Sequence, residues 1–319
     1  MKRTILYTLT IILILLVIFA IQNYPTSSDA KIFPRLSDTT NIRRNLESII
    51  NTSDYRNHKN IGILDTIAEK IRQEFLKHTN RVLTQDYKVN GNGYKNIIAS
   101  FGPEEGKRII VGAHYDVCGE QDGADDNASG VAGILELAKL LKGQALKYRI
   151  DLVAYTLEEP PYFNTKQMGS YVHAKSLHDA NIQVKGMVSL EMIGYYSEKE
   201  NSQSYPIGIM KSIYGDKGNF ITIVQKSFCG EFAKEFKKIS FRNNSILTKS
   251  FRTPSFLGGA NLSDHENYWE FGYSAVMVTN TAFFRNHNYH TKLDKLEALN
   301  VTKMGLVIDG VFRTLIQFE

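Results

Sequence analysis

The sequence predicts an α/β protein whose central sheet is mixed, mostly parallel and sandwiched by helices. From Arg108 onward, apolar runs of strand length alternate with helical patterns. Parallel strands that are covered on both faces have nearly continuous apolar sequences of this kind. The chain has 319 residues, of which 43% are apolar and 22% charged, and is long enough for one large α/β domain or two modest ones.

The first 22 residues have the pattern of a signal anchor or a signal peptide. Lys2 and Arg3 precede a long uncharged run, in which residues 5–21 form an apolar stretch of 17 residues. As a helix this stretch is about 26 Å long, slightly short of the roughly 30 Å hydrocarbon core of a bilayer. Because no clear small-x-small cleavage site follows Ala20, we expect a retained membrane anchor, with a cleaved and secreted form as the alternative. Either form places the rest of the chain outside the cytoplasm.

A polar linker over residues 23–40 is expected to lead to a folded domain over residues 41–319. Apolar residues recur at helical spacing from Ile61 to Leu76, which predicts an amphipathic helix. Two strand-like runs then flank the turn sequence NGNG and predict a hairpin. The remaining predicted elements are, in chain order, the strand RIIVGAHYD, the helix Ala128–Leu141, the strand RIDLVAYTLEE, the helix Gln167–His178, the strands VKGMVSLEMIG and NFITIVQK, the helix Glu231–Ile239, the strand SAVMVTN and a helix near Val301–Ile316.

Charge, cysteines and sequons limit the partners and the compartment. The net charge of +5 is small and the lysines and arginines are scattered, so we expect no nucleic acid partner. Cys118 and Cys229 permit one disulfide without establishing it. A glycan on the sequon that begins at Asn127 would block the acidic stretch around it. The sequence therefore favours a bacterial cell envelope over a eukaryotic secretory route.

Acids and histidines follow four of the predicted buried strands. They are His114 and Asp116, Glu158 and Glu159, Glu191, and Tyr289 with His290, while Asp125 and Asp126 open the helix after the first of these strands. In such folds ligands gather at the carboxyl ends of the strands, so these side chains should meet at one edge of the sheet. Each has an ordinary structural explanation in isolation. Asp125, for example, is well placed to cap a helix.

The combination of these side chains points to metal ions. Buried carboxylates repel one another and lose hydration, so three or four of them together need positive charge in their midst. No lysine or arginine stands directly beside these carboxylates in the motifs. Metal ions would supply the charge, and a mixture of imidazole and carboxylate ligands suits zinc.

Six segments carry a family resemblance. They are GAHYD, GADDNASGVAGILELAKLL, LEEPPYFNTKQMGS, LEMIG, SDHENYWEFG and NTAFFRNHNYHTKLD. In this order and spacing, over about residues 94–299, they resemble the motifs of the co-catalytic zinc aminopeptidase family. Relatives of that family include glutamate carboxypeptidases and glutaminyl cyclases. The resemblance implies one catalytic domain built on an eight-stranded mixed sheet.

The resemblance also implies two zinc ions per chain and a role for each side chain. The implied metal ligands are His114 and Glu191 for one ion, Glu159 and His290 for the other, and Asp126 as the bridge between them. Asp116 would orient the imidazole of His114. Glu158 matches the general base, and Tyr289 matches a phenol that stabilises the tetrahedral intermediate. The family commonly has aspartate where this chain has Glu191, whose extra methylene moves the carboxylate outward by about 1.5 Å.

The expected activity is hydrolysis at the free N-terminus of peptides. Two metal ions about 3.5 to 4 Å apart can hold a hydroxide and polarise the scissile carbonyl, while Glu158 moves a proton to the leaving amine. The alternatives are a single-metal glutaminyl cyclase, a carboxypeptidase and a non-catalytic binding module. Glu191 in place of aspartate keeps the first two open, whereas a binding module normally lacks ligands that this chain has. A thiol mechanism at Cys118 lacks a matching histidine and asparagine arrangement.

Overall fold

One mixed sheet organises the molecule. The computed structural model describes residues 26–206, 208–228, 230–253 and 262–318, with the single positions 7, 10, 11 and 13. The strands in these residues are β1 Thr26–Ser28, β2 Val82–Val89, β3 Asn92–Phe101, β4 Arg108–His114, β5 Arg149–Tyr155, β6 Val184–Glu191, β7 Ile221–Lys226, β8 Thr248–Thr253 and β9 Ala275–Thr279. Their order across the sheet is β1-β8-β7-β9-β6-β4-β5-β3-β2.

The sheet is parallel at its centre and mixed toward both edges. Strands β9, β6, β4 and β5 run parallel to one another. The hairpin of β2 and β3 joins β5 antiparallel, β7 joins β9 antiparallel, and β1 joins β8 antiparallel. Strands β7 and β8 form a further parallel pair. Parallel and antiparallel pairings are thus equally frequent among the described strands, so the predicted "mostly parallel" sheet is correct only at the centre.

Helices cover both faces of the sheet. The helices among the described residues are α1 Thr39–Ile50, α2 Ile61–Leu76, α3 Gly130–Leu141, α4 Gly169–Asp179, α5 Ile209–Tyr214, α6 Gly230–Asn243, α7 His265–Glu270 and α8 Val301–Leu315. Strand β4 shows how the two cores form, because successive side chains of a strand point to opposite faces. Ile109 and Val111 pack with α3 and α8, whereas Ile110 packs with residues of α4 and α7. The predicted sandwich of helices around a sheet is confirmed.

The described sheet has nine strands, so the expectation of eight is wrong by one. The additional strand, β1, has three residues and lies in the segment predicted to be a linker. It pairs with β8 through Thr26 and Ser250. Strand β8, with the sequence TKSFRT, is polar or charged at every position except Phe251 and lacks the apolar run that marks the central strands. Neither strand has an apolar pattern that the sequence argument could use.

The predicted N-terminal membrane helix lies outside the described residues, apart from the four single positions. In the part of the chain that the structure describes, no helix is both long enough and apolar enough to cross a bilayer. Helix α1 starts within the predicted linker, at Thr39. The carboxylate of Asp38 caps it by accepting the backbone N–H of Thr40 at 2.9 Å and of Asn41 at 3.3 Å.

Candidate metal centre

The carboxyl ends of β4, β5, β6 and β9 place the predicted polar residues at one edge of the sheet. His114 is the last residue of β4, and Glu191 is the last residue of β6. Glu158 and Glu159 lie in the loop that follows β5, and His290 lies in the loop that follows β9. Because these four strands are neighbours and parallel, their ends bring the five side chains together.

Two imidazoles flank the carboxylate of Asp126. Nε2 of His114 lies 3.4 Å from Oδ1 of Asp126 and 3.4 Å from Oε2 of Glu191. Nε2 of His290 lies 3.1 Å from Oδ2 of Asp126 and 3.1 Å from Oε2 of Glu159. The two oxygens of Asp126 therefore face two separate pairs, each made of one histidine and one glutamate.

Glu158 lies beside this arrangement. Its Oε2 is 3.8 Å from Nε2 of His114, and its side chain lines the same cavity as Asp126 and Glu159. Among the described residues, His114, Glu158 and Glu159 form one of the groups whose ligand atoms lie within 4.8 Å of one another. A fourth carboxylate is thus available at the edge of the cluster.

Burial dominates the electrostatics of the cluster. His114, Asp126, Glu158 and Glu159 are each at most 5% exposed. Loss of hydration raises the pKa of Glu159 to about 8 and holds that of Glu158 well above its ordinary range. Burial alone would lower the pKa of His114, but the carboxylates of Glu158 and Glu191 outweigh it and raise the pKa. The cluster therefore resists carrying its full negative charge without an added cation.

The side chains present fit zinc. Oδ2 of Asp126, Oε1 of Glu159 and Nε2 of His290 are buried. Within the described ranges none of these atoms makes a hydrogen bond, because the 3.1 Å contact between Nε2 of His290 and Oδ2 of Asp126 lacks the required angles. Buried polar atoms normally have hydrogen-bond partners, so their absence indicates that another group satisfies them. Imidazole nitrogens and carboxylate oxygens in a closed, anionic pocket are the donor set that zinc takes in proteins.

Asp116 anchors the loop that carries the two glutamates. Its carboxylate oxygens accept the backbone N–H of Glu158 and of Glu159, each at 3.1 Å. Nδ1 of His114 lies 3.2 Å from the backbone oxygen of Asp116 and 3.6 Å from its carboxylate. The side chain predicted to orient an imidazole thus also fixes the backbone of the neighbouring loop.

Several supporting residues were missed by the sequence argument. The carboxylate of Asp294 accepts the backbone N–H groups of Asp125 and Asp126 at 3.0 Å each. Asp125 in turn accepts from Asn280 at 2.8 Å and from Asn286 at 2.9 Å. Asp294 stands in the quoted segment NTAFFRNHNYHTKLD, but its partners are more than 160 residues away, and no local pattern signals such a contact.

Asn127 is part of the same support. Its Nδ2 donates to Oε2 of Glu191 at 3.2 Å and to the backbone of Leu190 at 2.8 Å, and its Oδ1 accepts from the backbone of Met192 at 3.0 Å. Ser263 also donates to Oε2 of Glu191 at 2.8 Å. Asn127 is fully buried, so the sequon that begins there is closed to glycosylation in the folded protein.

Tyr289 and Cys118 border the cluster. The ring of Tyr289 stacks on His290 with 3.7 Å between the ring centroids, and burial raises its pKa. The Cys118 sulfur lies within 4.8 Å of ligand atoms of Glu159 and His290. Burial raises the pKa of the Cys118 thiol to about 11, so it is a poor nucleophile near neutral pH. Cys229, the other half of the possible disulfide, lies outside the described residues.

Comparison with known families identifies the chain. The family model described as "Peptidase family M28" matches residues 96–315. This range includes all the side chains of the candidate metal centre. The chain belongs to peptidase family M28. Its suspected membership of a zinc-dependent exopeptidase family is thereby confirmed.

Similar proteins extend beyond the family model. The Escherichia coli K12 protein named "Uncharacterized protein YfbL" is 39% identical over 98% of this chain and 98% of its own length. "Leucine aminopeptidase 1" of Ajellomyces capsulatus (strain NAm1 / WU24) is 29% identical over 70% of this chain and 58% of its own length. A Bacteroides thetaiotaomicron glutaminyl cyclase structure has a TM-score of 0.67 at 17% identity, over 90% of this chain and all of that one. The last similarity concerns the fold alone.

Proposed function

We propose that this family M28 chain is an aminopeptidase that binds two zinc ions and hydrolyses the first peptide bond of its substrates. The observation that carries this proposal is the position of Asp126 between His114 with Glu191 and His290 with Glu159. A single carboxylate shared by two such pairs is suited to a centre of two metal ions.

Each pair would hold one ion, with Asp126 shared. His114 and Glu191 would bind the first ion, and His290 and Glu159 the second. When bound, the zinc ions supply positive charge that polarises the scissile carbonyl and acidifies water. Asp116, through its contact with His114 and its hydrogen bonds to the glutamate loop, would keep the two pairs in position.

Two other side chains would act on the substrate directly. Glu158 would accept a proton from the attacking water and donate it to the leaving amine, because its carboxylate reaches the edge of the cluster. Tyr289 lines the same cavity and would donate a hydrogen bond to the oxyanion that develops on the carbonyl. Neither role requires a further residue.

The proposed position in the cell rests on the sequence alone. Residues 5–21 would anchor the chain in the membrane of a bacterial envelope, with the catalytic domain on the extracytoplasmic side. The uncharged and predominantly apolar stretch of 17 residues behind Lys2 and Arg3 supports this proposal. Cleavage of the segment would release the same domain as a secreted enzyme.

A glutaminyl cyclase activity is the second candidate. The similar fold of a glutaminyl cyclase and the glutamate at position 191 favour it. A single-metal enzyme would leave one of the two pairs without an ion. The two activities are separated by their products, because a cyclase releases ammonia from N-terminal glutamine and leaves the peptide bond intact.

Turnover of aminoacyl-7-amido-4-methylcoumarin substrates tests the proposed function. Purified full-length protein loaded with zinc should release the fluorophore, and a chelator should stop the release. The Glu158→Gln variant should lose activity by about 10²- to 10⁴-fold, as expected for a general base, while its zinc content stays that of the wild type. The matched control is Glu120→Gln, a change of an exposed acid that pairs with Lys292, which should keep wild-type activity. Chelator-insensitive turnover, or full activity of Glu158→Gln, would refute the proposal.

A further inference from the structure

The candidate metal centre opens into a cavity with mostly apolar walls. The cavity has a volume of about 150 Å³ and includes Asp126, Glu159 and His290 among its lining residues. Away from these residues its walls are formed by Phe220, Val224, Phe251, Met277 and other apolar or aromatic side chains. A substrate bound at the metal centre would place one side chain in this space.

One cation interrupts the apolar walls. Lys249 lies on β8 and lines the cavity, although only 7% of its surface is exposed. Its Nζ lies 3.6 Å from the centroid of the Phe220 ring and donates a hydrogen bond to the backbone oxygen of Tyr214. Both contacts are with neutral groups.

Within the described ranges, no carboxylate offsets the charge of Lys249. The charged group that acts on Lys249 is another cation, Arg285, and burial together with this repulsion lowers the pKa of Lys249 to about 8. Arg285 is 1% exposed and lies 4.5 Å from the centroid of the same Phe220 ring. Glu319 is the only acidic residue of the sequence that lies outside the described ranges.

The guanidinium of Arg285 is itself held by neutral groups. It donates to the side chain of Gln203 at 2.8 Å and to the backbone of Phe220 at 2.7 Å. Its second terminal nitrogen is buried and, in the part of the chain that the structure describes, has no hydrogen-bond partner. Two buried cations therefore lie against the ring of Phe220, which forms part of the cavity wall.

Burying an ammonium group without a counter-ion is unfavourable, and a methionine of similar length would fill the space at lower cost. A substrate carboxylate would remove the penalty, because it would pair with Lys249 in a cavity that excludes water. The apolar walls would pack against the methylene groups that carry such a carboxylate.

We propose that Lys249 selects substrates whose N-terminal residue has a carboxylate side chain. Glutamate and aspartate are the residues of this class. The inference rests on the proposed function, since it assigns the cavity to the side chain of the residue that is removed. Lys249 is a specificity residue in this account and takes no part in bond cleavage.

The test compares glutamyl-, glutaminyl- and leucyl-7-amido-4-methylcoumarin at pH 7 with the zinc-loaded full chain. These substrates have no C-terminal carboxylate, so a preference for glutamyl must come from the side chain. We expect wild-type kcat/KM for glutamyl to exceed that for glutaminyl by at least about 30-fold, the size typical for a buried charge pair that loses one partner. Lys249→Met should abolish the preference for the glutamyl over the glutaminyl substrate and leave turnover of the leucyl substrate in place.

Matched variants separate specificity from folding. Lys226→Met removes a lysine of the neighbouring strand β7, whose ammonium lies over Trp269, and should keep the wild-type ratio. Lys249→Arg should keep a preference for glutamyl. If Lys249→Met does not fold, inhibition of the wild type by free glutamate compared with free glutamine gives the same comparison. We expect glutamate to inhibit at lower concentration.

The outcomes separate this inference from the proposed function. Turnover of glutaminyl or leucyl at the glutamyl rate or above by the wild type, or an unchanged ratio in Lys249→Met, overturns the role of Lys249 and leaves the aminopeptidase in place. Absence of chelator-sensitive turnover on all three substrates overturns the proposed function itself.

Discussion

Glu191 shows how neighbouring residues set the position of a single carboxylate. With its extra methylene, this glutamate was expected to displace the carboxylate outward relative to an aspartate. Its Oε2 nevertheless lies as near to His114 as the Asp126 oxygen does, at 3.4 Å. Hydrogen bonds from Ser263 and Asn127 fix it there. The longer side chain is thus accommodated, and the pair that it forms with His114 remains intact.

Asp116 provides a test at the same scale. In Asp116→Asn, one side-chain oxygen becomes an amide nitrogen, which cannot accept the N–H of Glu158 or Glu159. In the wild type each of these two N–H groups is held by one of the two carboxylate oxygens. Loss of one acceptor should therefore shift the backbone that carries both glutamates. We expect a loss of about 10- to 100-fold in kcat/KM, in the range seen for partners of metal ligands.

The control for this change is Asp122→Asn. Asp122 is partly exposed and its carboxylate pairs with Lys295 at 2.7 Å, a surface contact that contributes about 0 to 1 kcal/mol. This variant should keep wild-type kinetics. Wild-type kcat/KM in Asp116→Asn would show that the two backbone hydrogen bonds do not position the glutamates.

At the scale of elements, the ends of the central strands could be predicted from the sequence, whereas strands β1 and β8 could not. Strand β4 is apolar up to His114, so the sequence shows where the strand stops and the polar site begins. Strands β1 and β8 have no such boundary, because their side chains are largely polar. Lys249 lies on β8, which explains why its place in the cavity escaped the sequence argument.

A second element-scale feature is the buried contact of β5, α4 and α7. Nδ1 of His173 on α4 lies 2.5 Å from the Tyr268 hydroxyl of α7, which lies 2.6 Å from the Tyr155 hydroxyl of β5. Burial lowers the pKa of His173 to about 4, compared with about 6.5 in an unfolded chain. The folded protein therefore holds this histidine neutral.

This depressed pKa predicts acid sensitivity. Above pH 6.5 the His173 ring is neutral in both the folded and the unfolded state. As pH falls toward 4, the unfolded state gains a proton that the folded state cannot take up. The contribution of His173 to the free energy of unfolding should fall by about 2 to 3 kcal/mol between pH 7 and pH 4.5. Urea unfolding of His173→Gln should show a pH dependence flatter than that of wild type by this amount. His178→Gln, an exposed change on the same helix, should follow the wild-type curve, and equal slopes in all three proteins would contradict the prediction.

For the whole molecule, long-range contacts account for what the sequence did not show. The residues proposed to bind metal could be singled out because most of them follow recognisable strands, and the family resemblance then implied their roles. Their supports could not, because Asp294 reaches Asp125 across 169 positions and Asn286 reaches it across 161. Such contacts exist only once the loops after β4 and β9 have met. The sheet thus determines where the ligands converge, and the loop contacts determine their orientation.

The central claim is that this fold gathers carboxylates and imidazoles in order to hold two zinc ions. The most direct measurement is anomalous X-ray diffraction from crystals of the zinc-loaded full chain, recorded on both sides of the zinc absorption edge. We predict two anomalous peaks about 3.5 to 4 Å apart, one beside His114 and Glu191, the other beside His290 and Glu159, with Asp126 between them. A map with no zinc peak among these five side chains would contradict the account.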